Sequence, residues 1–170
     1  MNILITGCDG FVGSSLLKLL GDIPNFNLTG ICRDKFFTAS AKVKILYLSN
    51  LLDLSEHSEL LQITDVIIHT AGKAHVLKKH SINDEKEYLY VNAFLTKELA
   101  KIAASFGVSK FIYLSSTKVF GNPTSDNNFF SELSPVNPID IYGESKYTAE
   151  KELFKVSKKN GIEVVIIRPP

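Results

Sequence analysis

The stretch TGCDGFVG, Thr6–Gly13, decides how the chain begins to fold. It lies between an apolar run typical of a buried strand, NILIT at Asn2–Thr6, and a helical pattern, FVGSSLLKLL at Phe11–Leu20. Three glycines recur in it at intervals of three residues: Gly7, Gly10 and Gly13. Glycines at this spacing allow a tight turn and let the helix pack close to the strand. The stretch therefore predicts a close strand-to-helix connection.

Short apolar runs continue to alternate with helical patterns along the chain. The further predicted strands are Asn27–Cys32, Lys44–Leu48, Asp65–Thr70, Lys110–Ser116 and Glu163–Arg168. The further predicted helices lie near Ser55–Leu61, from about Asn83 to Phe106, and from Tyr142 to Lys159. Nearly continuous apolar runs belong to strands covered on both faces. The alternation predicts an α/β fold, a doubly wound parallel sheet of the Rossmann type, in one domain of residues 1–170.

Glycine and polar residues mark where the later elements end. Gly107 and Gly161 follow the last two helical patterns, in the position where a helix commonly terminates on a left-handed residue. The segment Gly121–Asp140 is rich in Asn, Ser and Pro, and it predicts a long surface loop.

Composition narrows the classes of function. The 170 residues are 45% hydrophobic, enough for a real core, and 19 basic against 18 acidic residues leave a net charge of +1. This nearly balanced charge creates no overall electrostatic attraction to nucleic acid or to an anionic membrane, so a small molecule is the expected partner. Cys8 and Cys32 lack metal-ligand spacing, and neither a leader pattern nor a membrane-length apolar run is present. We expect a soluble cytoplasmic protein without a metal.

The glycine turn has the context of a phosphate-binding site. A strand precedes it, a helix follows it, and it stands at the start of an alternating chain, which favours dinucleotide binding over a turn without ligand. Backbone N–H groups at a helix N-terminus attract a pyrophosphate. The residues expected there are Gly7, Gly10, Phe11, Val12 and Gly13.

The end of the second predicted strand bears on cofactor choice. An acidic residue there would bind a ribose 2′-hydroxyl, whereas an arginine would hold a 2′-phosphate by charge-assisted hydrogen bonds. Cys32 stands where the acid is expected, Arg33 follows it, and Asp34 is one residue further. The segment allows NAD or NADP and leans slightly to NADP, with a solvated Arg33 as the alternative.

A tyrosine and a lysine four residues apart, Tyr142 and Lys146, begin the last helical pattern. That spacing puts both side chains on one helical face, where an ammonium group favours the phenolate form of a tyrosine. Hydroxyl residues close the fifth predicted strand in LSST, Leu114–Thr117, where ligands sit in such sheets. An exposed pair is the alternative for the two residues alone, and the combination predicts a catalytic site.

These motifs together resemble the extended short-chain dehydrogenase/reductases, in their NAD-dependent epimerase/dehydratase (nucleotide-sugar) branch. The resemblance rests on TGCDGFVG, HTAG at His69–Gly72, VN at Val91–Asn92, LSST, YGESK and IIRPP at Ile166–Pro170, which occur in the family's order. It implies that Tyr142 is the catalytic acid/base, that Lys146 activates it and binds the nicotinamide ribose, and that Ser116 holds the reacting oxygen. Ser115 and Thr117 are the nearest competitors of Ser116. Further cofactor contacts are implied for Asn50, Leu51, Ala71 and Asn92.

Departures from the family pattern limit the implied chemistry. Dehydratases of the branch carry an Asp-Glu pair after the catalytic hydroxyl residue, where this chain has Thr117 and Lys118, so dehydration is disfavoured. The Gly-Asp that often follows the third strand is replaced by Ser49 and Asn50, whose amide oxygen could still accept from an adenine amino group.

Certain phrases are similar to enzymes that epimerise or reduce C4 of UDP-N-acetyl-hexosamines: Ala71–Leu77, Ser115–Gly121 and Asp140–Lys151. Members of the branch are about twice as long and bind the sugar nucleotide with a C-terminal portion, so we expect this chain alone to be weakly active or inactive. Arg33 slightly favours the reductase over the epimerase.

Two other functions stay open. A non-catalytic dinucleotide-binding sensor is one, and an interaction protein, such as a homodimer through the two long helices, is the other. Apolar residues that could serve a dimer or face the sheet are Leu95, Leu99, Ile102 and Leu153. His69 is expected to be packed or hydrogen-bonded. Lys73 and His75 follow it on a loop that either faces the substrate or is simply exposed, and Lys78, Lys79 and His80 are expected to be solvated charges.

Overall fold

The first strand lies in the middle of a parallel sheet, in a computed structural model that describes residues 1–73, 82–121 and 129–170. The strands are β1 (Asn2–Thr6), β2 (Asn27–Cys32), β3 (Lys44–Tyr47), β4 (Val66–His69), β5 (Lys110–Leu114) and β6 (Glu163–Ile167). Their order is β3-β2-β1-β4-β5-β6, and every pairing is parallel. This is the order of a Rossmann sheet, so the predicted fold class is confirmed.

The helices are α1 (Phe11–Gly21), α2 (Ser58–Ile63), α3 (Ile82–Tyr88), α4 (Leu95–Ser105) and α5 (Ile141–Asn160). A π-helical segment, Leu89–Phe94, joins α3 to α4, so the long predicted helix is present but has an irregular middle. The helix predicted near Ser55–Leu61 is in fact a 3₁₀ helix, Leu51–Glu56, followed by α2. A second 3₁₀ helix spans Thr117–Phe120.

Both predicted terminal glycines adopt left-handed backbone conformations. After α4, Gly107 has φ +82°, and the amide groups of Gly107 and Val108 donate to the carbonyl groups of Ala104 and Ala103. This crossed pair of bonds ends the helix as a Schellman motif. Gly161 has φ +77° and donates its N–H to the carbonyl of Ser157.

Hydrophobic side chains pack on both faces of the sheet, because neighbouring strand residues point to opposite sides. One face packs against α1 and includes Ile3, Ile5, Cys8, Leu17, Leu28 and Cys32. The other face packs against α4 and α5 and includes Leu4, Ile67, Leu99, Phe111, Tyr113 and Leu153. Leu99 and Leu153 are therefore fully buried, whereas Leu95 and Ile102 are half-buried.

Several sequence predictions lie partly or wholly outside the described residues. These are the loop positions His75, Lys78, Lys79 and His80, and part of the polar segment Gly121–Asp140. In the described part of that segment, residues 129–140 form no helix or strand. No helix among the described residues is both long and apolar enough to cross a membrane.

Candidate active site

The glycine turn packs against two neighbouring segments at very short range. Gly7 has φ +69°, and a Cβ on it would lie 2.7 Å from the backbone of Ala71. A Cβ on Gly13 would lie 2.2 Å from the carbonyl oxygen of Gly7. Any side chain at either position would collide with backbone atoms, so the turn needs glycine there.

The turn residues that follow β1 are also held by hydrogen bonds to β2. The N–H groups of Gly7 and Cys8 both donate to the carbonyl of Ile31, at 2.8 and 3.1 Å. Because β1 lies between β2 and β4, the chain reverses its direction of sheet growth beside this turn, and ligands of such sheets bind at that crevice. α1 begins directly after Gly10, with Phe11 exposed and Val12 half-buried, so its N-terminus opens at the same place. The predicted pyrophosphate-binding residues are thus brought together.

The two cysteines are buried beneath the turn as free thiols. Gly30 makes room for Cys8, because a Cβ on Gly30 would lie 2.8 Å from the Cys8 sulfur. Burial is the main cause that raises the pKa of Cys8, to about 12, and burial also raises the pKa of Cys32. Cys32 therefore packs in the core, although it occupies the position where an acidic residue was expected.

Arg33 and Asp34 differ in how their side chains are used. Both are exposed. The Oδ1 atom of Asp34 accepts a hydrogen bond of 2.8 Å from the N–H of Phe36, which closes a local turn. One oxygen of the Asp34 carboxylate is thereby used within its own loop, whereas Arg33 is exposed at the end of β2.

Asn50 forms a helix cap. Its Oδ1 atom accepts from the N–H of Leu52 at 3.1 Å and so begins the 3₁₀ helix Leu51–Glu56. The amide oxygen that was expected to meet an adenine amino group has one lone pair remaining for it. Leu51 packs half-buried against the core below.

Asn92 lies in the π-helical segment and is fully buried. Its side chain bonds the backbone of Lys73 twice, accepting from the N–H at 2.7 Å and donating to the carbonyl at 3.1 Å. It also donates to the Ser145 hydroxyl at 3.0 Å. Asn92 thus ties the segment after β4 to α5, and π-helical turns occur often at functional sites. The irregular turn has no evident signal in the sequence.

Tyr142 and Ser116 are brought together across the sheet edge. Tyr142 is half-buried in the first turn of α5, and Ser116, two residues after β5, is 7% exposed. The Ser116 side chain lies close enough to Tyr142 to act on the pKa of its phenol. Asp140 caps α5 by accepting from the N–H of Gly143 at 2.7 Å, which fixes where the tyrosine enters the helix.

The two competitors of Ser116 have other positions. The hydroxyl of Ser115 points into the protein and donates to the Oε1 atom of Glu150 at 2.5 Å. Thr117 begins a 3₁₀ helix, and its N–H donates to the carbonyl of Pro169 at 2.8 Å. Of the three, Ser116 is the one that acts on the pKa of Tyr142.

The Lys146 ammonium group is almost fully buried, at 5% exposure. Its Nζ atom donates to the carbonyl of Leu114 at 2.9 Å and lies 4.7 Å from the ring centroid of Tyr113. Burial lowers the pKa of Lys146 to about 8, and the charge of Glu150 opposes that change. The proton on this lysine is therefore exchangeable near neutral pH.

The effect of Lys146 on Tyr142 differs from the expectation. Burial raises the pKa of Tyr142 above its usual value, while the nearby Ser116 side chain acts in the opposite direction. The ammonium lies 5.8 Å from the tyrosine ring centroid and donates to the carbonyl of Leu114 instead. Desolvation of the phenol therefore sets the direction of the pKa change.

His69 is packed and hydrogen-bonded, as predicted. Its ring nitrogens lie 2.6 Å from the Thr6 hydroxyl and 2.9 Å from the Thr96 hydroxyl. Burial lowers its pKa to about 3, so the ring is neutral at physiological pH. Among the described residues, no cluster of His, Cys, Asp or Glu could hold a metal ion.

The match to known proteins covers the whole chain. A model of the NAD dependent epimerase/dehydratase family matches residues 3–170. The chain belongs to this family. It is 36% identical over 169 residues to UDP-glucose 4-epimerase of Vibrio cholerae, and 30% identical over 177 residues to human dTDP-D-glucose 4,6-dehydratase. These alignments cover 99% and 98% of this chain but 51% and 49% of the relatives, so the chain spans about half their length.

Solved structures of this epimerase/dehydratase family share the fold. UDP-glucuronic acid 4-epimerase of Bacillus cereus, in complex with UDP-glucuronic acid and NAD, superposes with a TM-score of 0.84 at 26% identity. The alignment covers 99% of this chain and 56% of that one. UDP-Glc/GlcNAc 4-epimerase of Campylobacter jejuni gives 0.83 at 26% identity, over 98% of this chain and 52% of that one.

The buried lysine predicts a stability difference at alkaline pH. The folded chain releases the Lys146 proton near pH 8 and the unfolded chain near 10.5, so between these values the unfolded state binds more protons. The contribution of Lys146 to the free energy of unfolding should therefore rise with pH across this window, by up to about 3 kcal/mol. Denaturant unfolding of the wild type and of Lys146→Met, compared at each pH, measures it.

Other titrating groups, including Cys8 and Tyr142, are common to both proteins and cancel in the difference. The exposed Lys101, which pairs with Glu98 on α4, provides the control, because Lys101→Met removes an ammonium group that is not buried. The difference for Lys146→Met should rise more steeply between pH 8 and 10.5 than the difference for Lys101→Met. A flat difference for Lys146→Met would contradict the lowered pKa.

Proposed function

We propose that this chain is the cofactor-binding and proton-transferring half of a nucleotide-sugar C4 epimerase or 4-keto reductase. The observation that carries the proposal is the convergence of Ser116 and Tyr142 beside the buried Lys146, which lies one helical turn along α5 and donates to the end of β5. The three side chains lie at the carboxyl ends of the strands, where the glycine turn also opens. A phenol, a second hydroxyl and an ammonium in one place suit proton transfer to and from an alcohol oxygen.

The residues present fit a nicotinamide dinucleotide, which would supply the acceptor or donor of hydride. The cradle at Gly7 and Gly13, which any Cβ would fill, suits its pyrophosphate. Lys146 would donate a hydrogen bond to a ribose hydroxyl. Ser116 would hold the C4 oxygen of the sugar, and Tyr142 would take its proton in the oxidative direction and return it in the reductive direction. An epimerase uses both directions in one cycle, and a reductase uses the second.

UDP-linked hexoses or N-acetyl-hexosamines are the proposed substrates. Support comes from the relatives, which include a UDP-glucose 4-epimerase and structures of UDP-sugar epimerases. Dehydration is not proposed, because Thr117 and Lys118 carry no acid or base of the kind that elimination of water needs.

NADP(H) is slightly favoured over NAD(H) in this proposal. Arg33 is exposed at the end of β2, and the Asp34 carboxylate already accepts from the N–H of Phe36. A guanidinium group there can hold a 2′-phosphate by two charge-assisted hydrogen bonds. An NADP(H) preference would in turn support the reductase.

Calorimetric titration with NAD⁺ and NADP⁺ at one fixed ionic strength tests the cofactor proposal. We expect Arg33→Ala to weaken NADP⁺ binding by about tenfold or more while changing NAD⁺ binding little. Lys35→Ala is the matched control, because it removes the same charge from the same exposed loop. Gly10→Asp should abolish binding of both nucleotides, because the introduced carboxylate would occupy the proposed pyrophosphate site.

Three results would count against the cofactor proposal. Unchanged affinity of Gly10→Asp would remove the glycine turn from the site. Equal losses of NAD⁺ and NADP⁺ in Arg33→Ala would mean that Arg33 does not read the 2′-phosphate. Absence of binding by the wild type to either nucleotide would contradict the dinucleotide site in this chain.

Tyr142→Phe tests the proton-transfer role in a protein that joins this chain to a sugar-nucleotide-binding portion. Turnover should fall by roughly 100- to 10,000-fold with the fold intact, because the phenolic proton is lost from the reacting oxygen. Tyr147→Phe removes a hydroxyl from the same helix and should leave turnover unchanged. Steady-state kinetics with a UDP-sugar, together with circular dichroism, decides; retained activity in Tyr142→Phe would move the acid/base role elsewhere.

A homodimer through the long helices is also proposed. Apolar side chains remain exposed on the π-helical segment that joins these helices: Leu89, Tyr90 and Phe94. The rings of Tyr90 and Phe94 stack at 5.4 Å, and Lys97 on α4 pairs with Glu152 on α5 at 3.0 Å. A self-complementary pair of helices would cover these rings about a twofold axis.

Sedimentation velocity tests the dimer. Phe94→Ser should raise the dissociation constant of the dimer by about tenfold or more, because a central aromatic contact is lost. Phe36→Ser removes an even more exposed phenylalanine from the loop after β2 and should leave association unchanged. A wild type that is monomeric at high concentration would contradict the dimer.

A further inference from the structure

A buried carboxylate lies behind the proposed catalytic pair. Glu150 on α5 is 1% exposed and accepts three hydrogen bonds. Its Oε1 atom accepts from the Ser115 hydroxyl at 2.5 Å and from Nε of Arg168 at 2.9 Å, and its Oε2 atom accepts from Nη2 of Arg168 at 2.6 Å. The sequence motifs did not single out Glu150 or Arg168 for a role. The two-pronged arginine contact compensates the carboxylate for its burial.

The position of Glu150 on α5 relates it directly to the site. Tyr142, Lys146 and Glu150 follow one another at intervals of four residues, so they share one face of the helix. Glu150 is thus one turn beyond the lysine, on the side away from the tyrosine. No other carboxylate of the described residues is recorded as acting on the charge of Lys146.

Glu150 also joins three elements at their functional ends. Ser115 immediately precedes Ser116, and Arg168 immediately follows β6. The N–H of Ser115 donates to the carbonyl of Ile167 at 2.7 Å, so the two strand ends already lie side by side. The carboxylate therefore ties the strand end that carries Ser116 to the helix that carries Tyr142.

The tyrosine and histidine side chains around Lys146 are neutral at physiological pH. Tyr113 on β5 packs its ring under the ammonium, and burial raises its pKa well above the usual value. Tyr142 on α5 also has a raised pKa, and His69 on β4 has a pKa of about 3. Arg168, the nearest charge from β6, bonds directly to Glu150. The balance at Lys146 is therefore between burial, which disfavours its charge, and the Glu150 carboxylate, which favours it.

We propose that Glu150 is a positioning residue of this site, which keeps Lys146 protonated and holds the strand end bearing Ser116 against α5. The consequence for catalysis rests on the proposed function, whereas the effect on Lys146 does not. Loss of the carboxylate would leave a buried ammonium with no opposite charge, and the lysine would become neutral at a lower pH.

The first test measures the titration of Lys146 directly in the whole 170-residue chain. NMR of protein labelled with ¹³C and ¹⁵N in lysine follows the side-chain shift with pH, and the signal that disappears in Lys146→Met gives the assignment. We expect Glu150→Gln to lower the pKa of Lys146 by about 1 unit or more. Glu150→Asp keeps the negative charge, so the pKa of Lys146 in this variant should stay close to the wild-type value.

Matched variants separate charge from tethering and from general effects. Glu152→Gln removes a carboxylate from the same helix, where Glu152 pairs with Lys97 and Lys155, and should leave Lys146 unchanged. Ser115→Ala removes one hydrogen bond but no charge, so the pKa of Lys146 should also stay. An unchanged pKa in folded Glu150→Gln, or an equal shift in Glu152→Gln, would overturn the proposal.

A second variant covers the case in which Glu150→Gln does not fold because Arg168 loses its partner. Glu150→Gln/Arg168→Gln removes the ion pair as a unit and leaves two amides that can bond each other. It should give the same downward shift, because Arg168 is not among the causes that act on the pKa of Lys146. A wild-type pKa in this variant would overturn the proposal.

A last experiment tests whether the charge of Lys146 affects cofactor binding. NADP⁺ affinity is measured from pH 6 to 9, and the pH at which it declines should move lower in Glu150→Gln, in step with the Lys146 titration. If Lys146 shifts and affinity does not follow, the positioning role in the site is overturned. If the wild type binds no dinucleotide, the proposed function fails, while the lysine titration still decides the charge effect.

Discussion

The contact of the glycine turn with its neighbours is the constraint on which the site depends. Gly7 lies against the backbone of Ala71 after β4, and Gly13 lies against the carbonyl of Gly7. These contacts bring α1, β1 and the segment after β4 closer than any side chain would permit. The same closeness places the N-terminus of α1 beside the crevice between β1 and β4, so the packing requirement and the proposed anion site involve the same segment.

Burial of charge governs the opposite side of the site. An ammonium group and a carboxylate are both almost fully buried on one face of α5, and each needs compensation to remain ionised. Glu150 receives it from Arg168 and Ser115. Among the described residues, Lys146 donates to the Leu114 carbonyl, lies over the Tyr113 ring and is influenced by the charge of Glu150. These contacts offset the burial of Lys146 only in part, so its pKa is lowered to about 8.

The sequence anticipated more of the architecture than of the side-chain contacts. The doubly wound parallel sheet follows from alternation and from the handedness of crossovers, and both helix-ending glycines behave as predicted. The hydrogen bonds of the Asn50 and Asp34 side chains were not predicted. Each side chain accepts from the N–H two residues further along the chain, which is a local pattern that could have been recognised. The π-helical turn around Asn92 had no such local pattern, because its side chain bonds Lys73 and Ser145, which are distant in sequence.

The sequence by itself determined the parallel fold, the glycine turn, the family and the tyrosine–lysine pair, because spacing along a strand or helix controls which residues share a face. Only the tertiary structure decided which of three neighbouring hydroxyls meets Tyr142, that Cys32 is buried where an acid was expected, and that burial raises the pKa of Tyr142 despite Lys146. It also joined Glu150 to Arg168 and Ser115. These outcomes depend on direction and desolvation, which arise only when separate elements pack together and exclude water.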